Sequence, residues 1–87
     1  MEDKYTELGF VHHYVTNSYG IRILFGTPGN DDWCIEIPAE LVRRDNNLYK
    51  SDKPLVMYCI SEEETLRMAE KYTNIARNIE KTKRDST

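Results

Sequence analysis

Residues 5–15 (Tyr-Thr-Glu-Leu-Gly-Phe-Val-His-His-Tyr-Val) are rich in β-branched and aromatic types and read as a strand, as do residues 19–25, while residues 33–37 alternate cleanly between two faces. Successive side chains of an extended chain point to opposite faces, so this period predicts half-buried strands. In the first stretch Leu8, Phe10, His12 and Tyr14 share one side, and Val11, His13 and Val15 the other. In the second, Ile21, Ile23 and Phe25 oppose Arg22 and Leu24; in the third, Trp33, Ile35 and Ile37 oppose Cys34 and Glu36. A fourth strand is expected at residues 55–60, Leu-Val-Met-Tyr-Cys-Ile, apolar on both faces.

Turn residues separate these stretches. Thr16-Asn17-Ser18 reads as a turn, and residues 26–32, Gly-Thr-Pro-Gly-Asn-Asp-Asp, read as the hairpin connection. There Pro28 presets φ and Gly29 accepts a positive φ, as the central pair of a type II turn requires. Pro38 ends the third strand or confines it to an edge. Residues 38–44 suit a short helix, and residues 43–54 form a polar loop of the length usually tied to function or mobility. Beyond Ser61 the period changes to that of a helix. Ser61 and Glu64 match a capping box, and Glu62, Glu63 and Glu64 sit at the positive end of the helix dipole. Leu66, Ala69, Tyr72, Ala76 and Ile79, widened by Met68 and Ile75, form an apolar stripe that carries the helix to about residue 83.

These elements predict a single α+β domain over residues 1–87, frayed at 84–87. Its expected form is two-layered: an antiparallel four-stranded sheet packed by one long C-terminal helix. A helix of about 20 residues is roughly 30 Å long and 10–12 Å across, whereas four strands make a sheet about 15–20 Å wide. One helix covers part of one face, and the other face stays open. Strands one and four are apolar on both sides, so the open face is expected to meet solvent, a protein partner or a second copy in a homodimer.

Composition narrows the classes. The 87 residues are 39% hydrophobic and 31% charged, a globular rather than a disordered mixture. The longest apolar run, residues 55–60, falls far short of the roughly 20 residues of a membrane span. The opening Met-Glu-Asp-Lys is polar with no apolar region after it, which points to a cytoplasmic chain with Cys34 and Cys59 reduced. The net charge of −3 conceals an uneven distribution. Residues 1–64 hold 6 basic and 12 acidic side chains, and residues 65–87 hold 6 basic and 3 acidic. The acidic body argues against general binding to nucleic acid, although the basic helix residues Arg77, Lys81 and Arg84 keep it as the alternative function, together with Arg43 and Arg44.

Candidate chemistry is sparse. His12 and His13 are adjacent, so on a strand they face opposite ways and do not share one metal ion. Neither Cys-x-x-Cys nor His-x-x-x-His occurs, and Gly26-x-x-Gly29 lies in a hairpin rather than before a helix. No catalytic residue, metal site or cofactor is expected. The run Ile37-Pro38-Ala39-Glu40-Leu41-Val42-Arg43 resembles the Ile-Pro-x-Glu-Leu-x-Arg segment of AbrB-like swapped-hairpin DNA-binding proteins; the Leu-Gly-Ile and Gly-Asp that follow in that family are missing here. The function expected from the residues is a small non-enzymatic protein-interaction module that occludes a larger protein partner, as inhibitors and accessory factors of phage or mobile-element type do. Its contact residues are expected at Arg43, Arg44, Tyr49 and Lys50 in the loop and at Asp31 and Asp32 in the hairpin.

Overall fold

A computed structural model describes residues 4–11, 14–27 and 30–85, with the side chains of residues 26–27, 30–32 and 84–85 outside the description. The element order is α1 (Lys4–Glu7), β1 (Arg22–Thr27), β2 (Asn30–Ile37), α2 (Ala39–Asp45), β3 (Leu55–Cys59) and α3 (Glu62–Asp85). The fold is α+β, with an antiparallel sheet in the order β1-β2-β3 packed against α3. Among the described residues the sheet has three strands, not the four expected.

The missing strand is the first. Residues 5–15 are rich in strand-favouring aromatic and β-branched types, yet backbone conformation overrides that preference. Gly9 adopts φ +84°, and α1 ends there. Phe10 N donates to Tyr5 O at 2.8 Å and Gly9 N to Thr6 O at 3.0 Å, the paired bonds of a Schellman motif with Gly9 at its left-handed position. The apolar contact that accompanies this motif is also present: the rings of Tyr5 and Phe10 meet edge to face at 6.3 Å. Tyr14 at φ +66° breaks the extension a second time. Among the described residues of this stretch, the isolated bridges Val11↔Thr16 and Thr16↔Arg22 are what remains of a strand. His12, His13 and the Pro28-Gly29 turn lie outside the described residues.

A single buried side chain organises the segment between α1 and β1. Asn17 is 4% exposed. Its Oδ1 accepts from Tyr19 N at 3.0 Å and Ile21 N at 3.1 Å. Its Nδ2 donates to Leu8 O at 3.2 Å and Thr73 Oγ1 at 3.1 Å. Asn17 thereby joins the C-terminal end of α1, the entry to β1 and the middle of α3.

On the inner face of the sheet Ile21, Ile23, Ile35 and Ile37 are fully buried beneath α3. The helix begins as its sequence predicts: Ser61 Oγ accepts from Glu64 N at 3.1 Å, the N-cap bond. The centre of its buried face differs from the expected stripe. Thr65 and Thr73 are completely buried along with Ala69, while Leu66, Met68, Ile75 and Ile79 pack at the margins. Small residues at the centre let the helix axis approach the sheet closely, and Thr65 satisfies its hydroxyl by donating to Ser61 O at 2.9 Å. The short α2 docks beside α3 through Leu41 and Val42, and Asp45 at its end takes Tyr72 Oη at 3.2 Å and Lys71 Nζ at 3.2 Å.

Candidate functional site

The outer face of the sheet follows from strand register. Arg22, Glu36 and Val56 align in one row across the three strands, and Leu24, Cys34 and Tyr58 in the next. Directly paired residues point to the same side, opposite the inward-facing Ile23–Ile35–Met57 row. Both α2 and α3 pack on the buried side, and the molecule is 18 Å across its shortest axis, the depth of two layers. Leu24 is 44%, Val56 46% and Tyr58 75% exposed, and Ile60, just past the end of β3, is 91% exposed. Arg22 Nη1 and Glu36 Oε2, 3.5 Å apart, form an ion pair at one side of this surface.

Cys34 lies half-buried in the middle of the apolar row. Burial, and then the nearby Glu36 carboxylate, push its thiol above the ordinary range, which favours the neutral thiol over the thiolate. Cys59 is buried on the opposite face beside Trp33, and both cysteines are free thiols. Phe25 belongs to the inner side by register but sits at the sheet end, half-exposed, with its ring 4.4 Å from that of Trp33.

The loop residues divide into those that hold the loop and those that face water. Arg43 Nη1 donates to Ser51 O at 2.9 Å and lies 3.9 Å from Asp52. Tyr49 packs half-buried against the core and donates its hydroxyl to Lys53 O at 2.6 Å. It therefore has the packing role that its position in a polar stretch does not suggest. Lys53 N bonds Ser51 Oγ at 3.0 Å and Leu48 N bonds Asn46 Oδ1 at 3.1 Å, so the loop carries its own hydrogen bonds. Arg44 and Lys50 are exposed. The backbone of Asp31 and Asp32 lies within β2, not in the hairpin turn, at the sheet end shared by Cys59. On α3, Arg77 donates to Glu7 O at 3.0 Å and thus fastens α1, Lys81 is exposed, and the side chain of Arg84 lies outside the described residues.

Two further features are modest. A groove of about 240 Å³ between α2 and α3 is floored by Pro38, Leu41, Ala76 and Ile79 with Glu40 and Lys83 at its rim. Among the described residues no group of three or more His, Cys, Asp or Glu side chains converges as a metal site would need. No helix is long and apolar enough to cross a membrane among those residues.

No family model, curated protein or solved structure matches this chain. The seven-residue likeness to the AbrB-like segment spans the end of β2, Pro38 and most of α2. The arrangement with the clearest physical consequence is the outer sheet face. The need for such a face was readable from element sizes; the membership of Leu24 and Cys34 was not singled out, although their place opposite Ile23 and Ile35 in the alternation carried the signal.

Proposed function

We propose that this chain is a small non-enzymatic protein-interaction module that covers a surface of a larger protein partner with the outer face of its sheet. The observation that carries this reading is the apolar row Leu24–Cys34–Tyr58, extended by Val56, on the side of the sheet away from both packed helices. Exposed apolar side chains are ordinary when scattered; joined across three strands they form a surface that gains free energy when another protein excludes water from it. Tyr58 adds a large rigid body with a polar tip, the kind of side chain that anchors interfaces. Arg44 and Lys50 on the loop, and the β2 extension at Asp31 and Asp32, are proposed as flanking contacts. Arg43 and Tyr49 are assigned to holding the loop that presents them.

Capture of the partner from a native lysate by the tagged chain, compared with its Leu24→Asp variant, tests the proposal. The variant is expected to fold with an unchanged circular dichroism spectrum and to lose the partner. Partner binding is also expected to shield Cys34 from maleimide. Equal capture by both chains, with Cys34 equally reactive in the bound and free states, would sink the face as the binding surface.

A further inference from the structure

The two edges of the sheet are treated differently. The outer edge of β1 is occupied: Thr16 bridges Arg22, and Ile23 N donates to Val15 O at 3.0 Å and Tyr14 O at 3.2 Å. The inward-facing Ile21 and Ile23 behind that edge are fully buried. β3 stands at the opposite end of the strand order and, among the described residues, pairs with β2 alone. Its inward-facing Leu55 and Met57 are only half-buried, and its outward-facing Val56 and Tyr58 are exposed. The strand Leu-Val-Met-Tyr-Cys carries no charge and no proline, and its register with β2 runs without a bulge. Charges, prolines and bulges are the devices that normally keep an edge from pairing.

We infer that β3 pairs antiparallel with β3 of a second copy of this chain, forming a two-fold dimer with a continuous six-stranded sheet. A two-fold axis at Met57 sets Val56 of one copy opposite Tyr58 of the other, twice, on the outer face. Aromatic and β-branched side chains make a favourable cross-strand pair. The same axis places Leu55 opposite Cys59 on the inner face, where the half-exposed Leu55 and Met57 gain cover. Because the sum of paired positions is even, both helical layers lie on one side and both outer faces join on the other.

Charge at the strand ends favours this occupant. Lys50 and Lys53 precede β3 and are exposed, whereas Glu62 and Glu63 follow it and are exposed. An antiparallel copy brings the basic end of one strand to the acidic end of the other, with Lys53 opposite Ser61 and next to Glu62. Asp52, the acidic residue of that loop, lies beside Arg43 of its own chain. The surface is therefore self-complementary, as an interface between identical copies must be. The inference extends the proposed function by doubling the outer face, and it stands or falls separately: Leu24 is two strands away from β3.

Sedimentation equilibrium of the full chain, at concentrations up to about 1 mM, is the test. The expected result is a dimer of the 10.3 kDa chain. The double variant Val56→Lys/Tyr58→Lys places like charges opposite one another and should weaken the dimer at least tenfold (about 1.4 kcal/mol). Val56→Lys/Tyr58→Glu should restore it, and Leu24→Asp should leave it unchanged. Cross-linking supplies a second readout if the lysine variant unfolds. In a Cys34→Ser background, Val56→Cys chains mixed with Tyr58→Cys chains should form the mixed disulfide under oxidation, ahead of either chain with itself. A chain that stays monomeric throughout, a folded double-lysine variant that dimerises as well as the wild type, or a dimer abolished by Leu24→Asp would each overturn the edge pairing.

Discussion

Replacement of Asn17 by alanine is expected to cost about 3–5 kcal/mol. The side chain makes four hydrogen bonds at 3.0–3.2 Å and is 4% exposed. Each such bond contributes a net 0.5–1.5 kcal/mol, and a buried partner left without its mate costs roughly 1–3 kcal/mol. The groups stranded by the change are unequal. Ile21 N, Leu8 O and Thr73 Oγ1 lie in buried surroundings, while Tyr19 N is close enough to the surface to recruit water. Taking the three buried losses at about 1–1.5 kcal/mol each and the Tyr19 bond at about 0.5 kcal/mol or less gives the stated range. A chain of this length commands about 4–13 kcal/mol in total at 0.05–0.15 kcal/mol per residue, so the variant should sit near the edge of folding. Urea unfolding followed by circular dichroism and by Trp33 fluorescence measures the loss, and a double-mutant cycle with Thr73→Val should return a coupling of about 1 kcal/mol for the Nδ2–Oγ1 bond. A loss below about 1 kcal/mol with an unchanged m-value would refute the view that this residue holds α1, β1 and α3 together.

Other consequences are open to the same assays. Gly20 sits at φ +84°, and an added Cβ would lie 3.2 Å from Pro38 Cγ, so Gly20→Ala should destabilise by about 1–2 kcal/mol, measured as a lower urea midpoint. Ser61→Ala removes the N-cap bond to Glu64 N and should cost about 1 kcal/mol. The Tyr72 phenol is raised above its ordinary range, first by burial and then by the neighbouring Asp45 carboxylate. The folded chain therefore holds this proton more tightly than the unfolded one, and its contribution to stability, intact below about pH 10, falls as pH rises through the higher folded value. Tyr72→Phe should lose that alkaline decline, and equal pH profiles for the two proteins would contradict it.

The outer face and the β3 edge are parts of one economy in a small domain. A helix of 24 residues more than spans the length of three short strands on one side, and among the described residues no second long helix covers the other. The core is thus completed around Ile23, Ile35 and Ala69 while Leu24, Val56 and Tyr58 remain in water. Under the proposals above, the face would be covered by a partner and the edge by a copy.

Local chemistry made several elements legible. Ser61 and the carboxylates after it start α3, the alternation of Trp33 to Ile37 sorts β2 into its two faces, and Pro38 separates that strand from α2. Those features depend on interactions within a few residues, where residue type is nearly sufficient. The same reasoning failed at residues 5–15, because strand-favouring residue types there competed with the left-handed backbone at Gly9 and Tyr14, and the hydrogen bonds closing α1 outweighed that propensity. It also passed over Asn17, Thr65 and Thr73, polar residues whose burial depends on partners up to 56 positions away. Tyr49 belongs with them: its sequence neighbours are polar, but the fold lays it against the core.

Residue order alone was enough to establish an α+β chain with a capped C-terminal helix and an apolar surplus on its strands. Which strands pair, which edge is sealed and where the surplus gathers were settled only when the 14–16 segment closed β1 and left β3 at the other end. The physical reason is range. Capping and alternation act through bonds between near neighbours, whereas edges and faces exist only after distant segments compete for the same hydrogen-bonding groups and the same buried space.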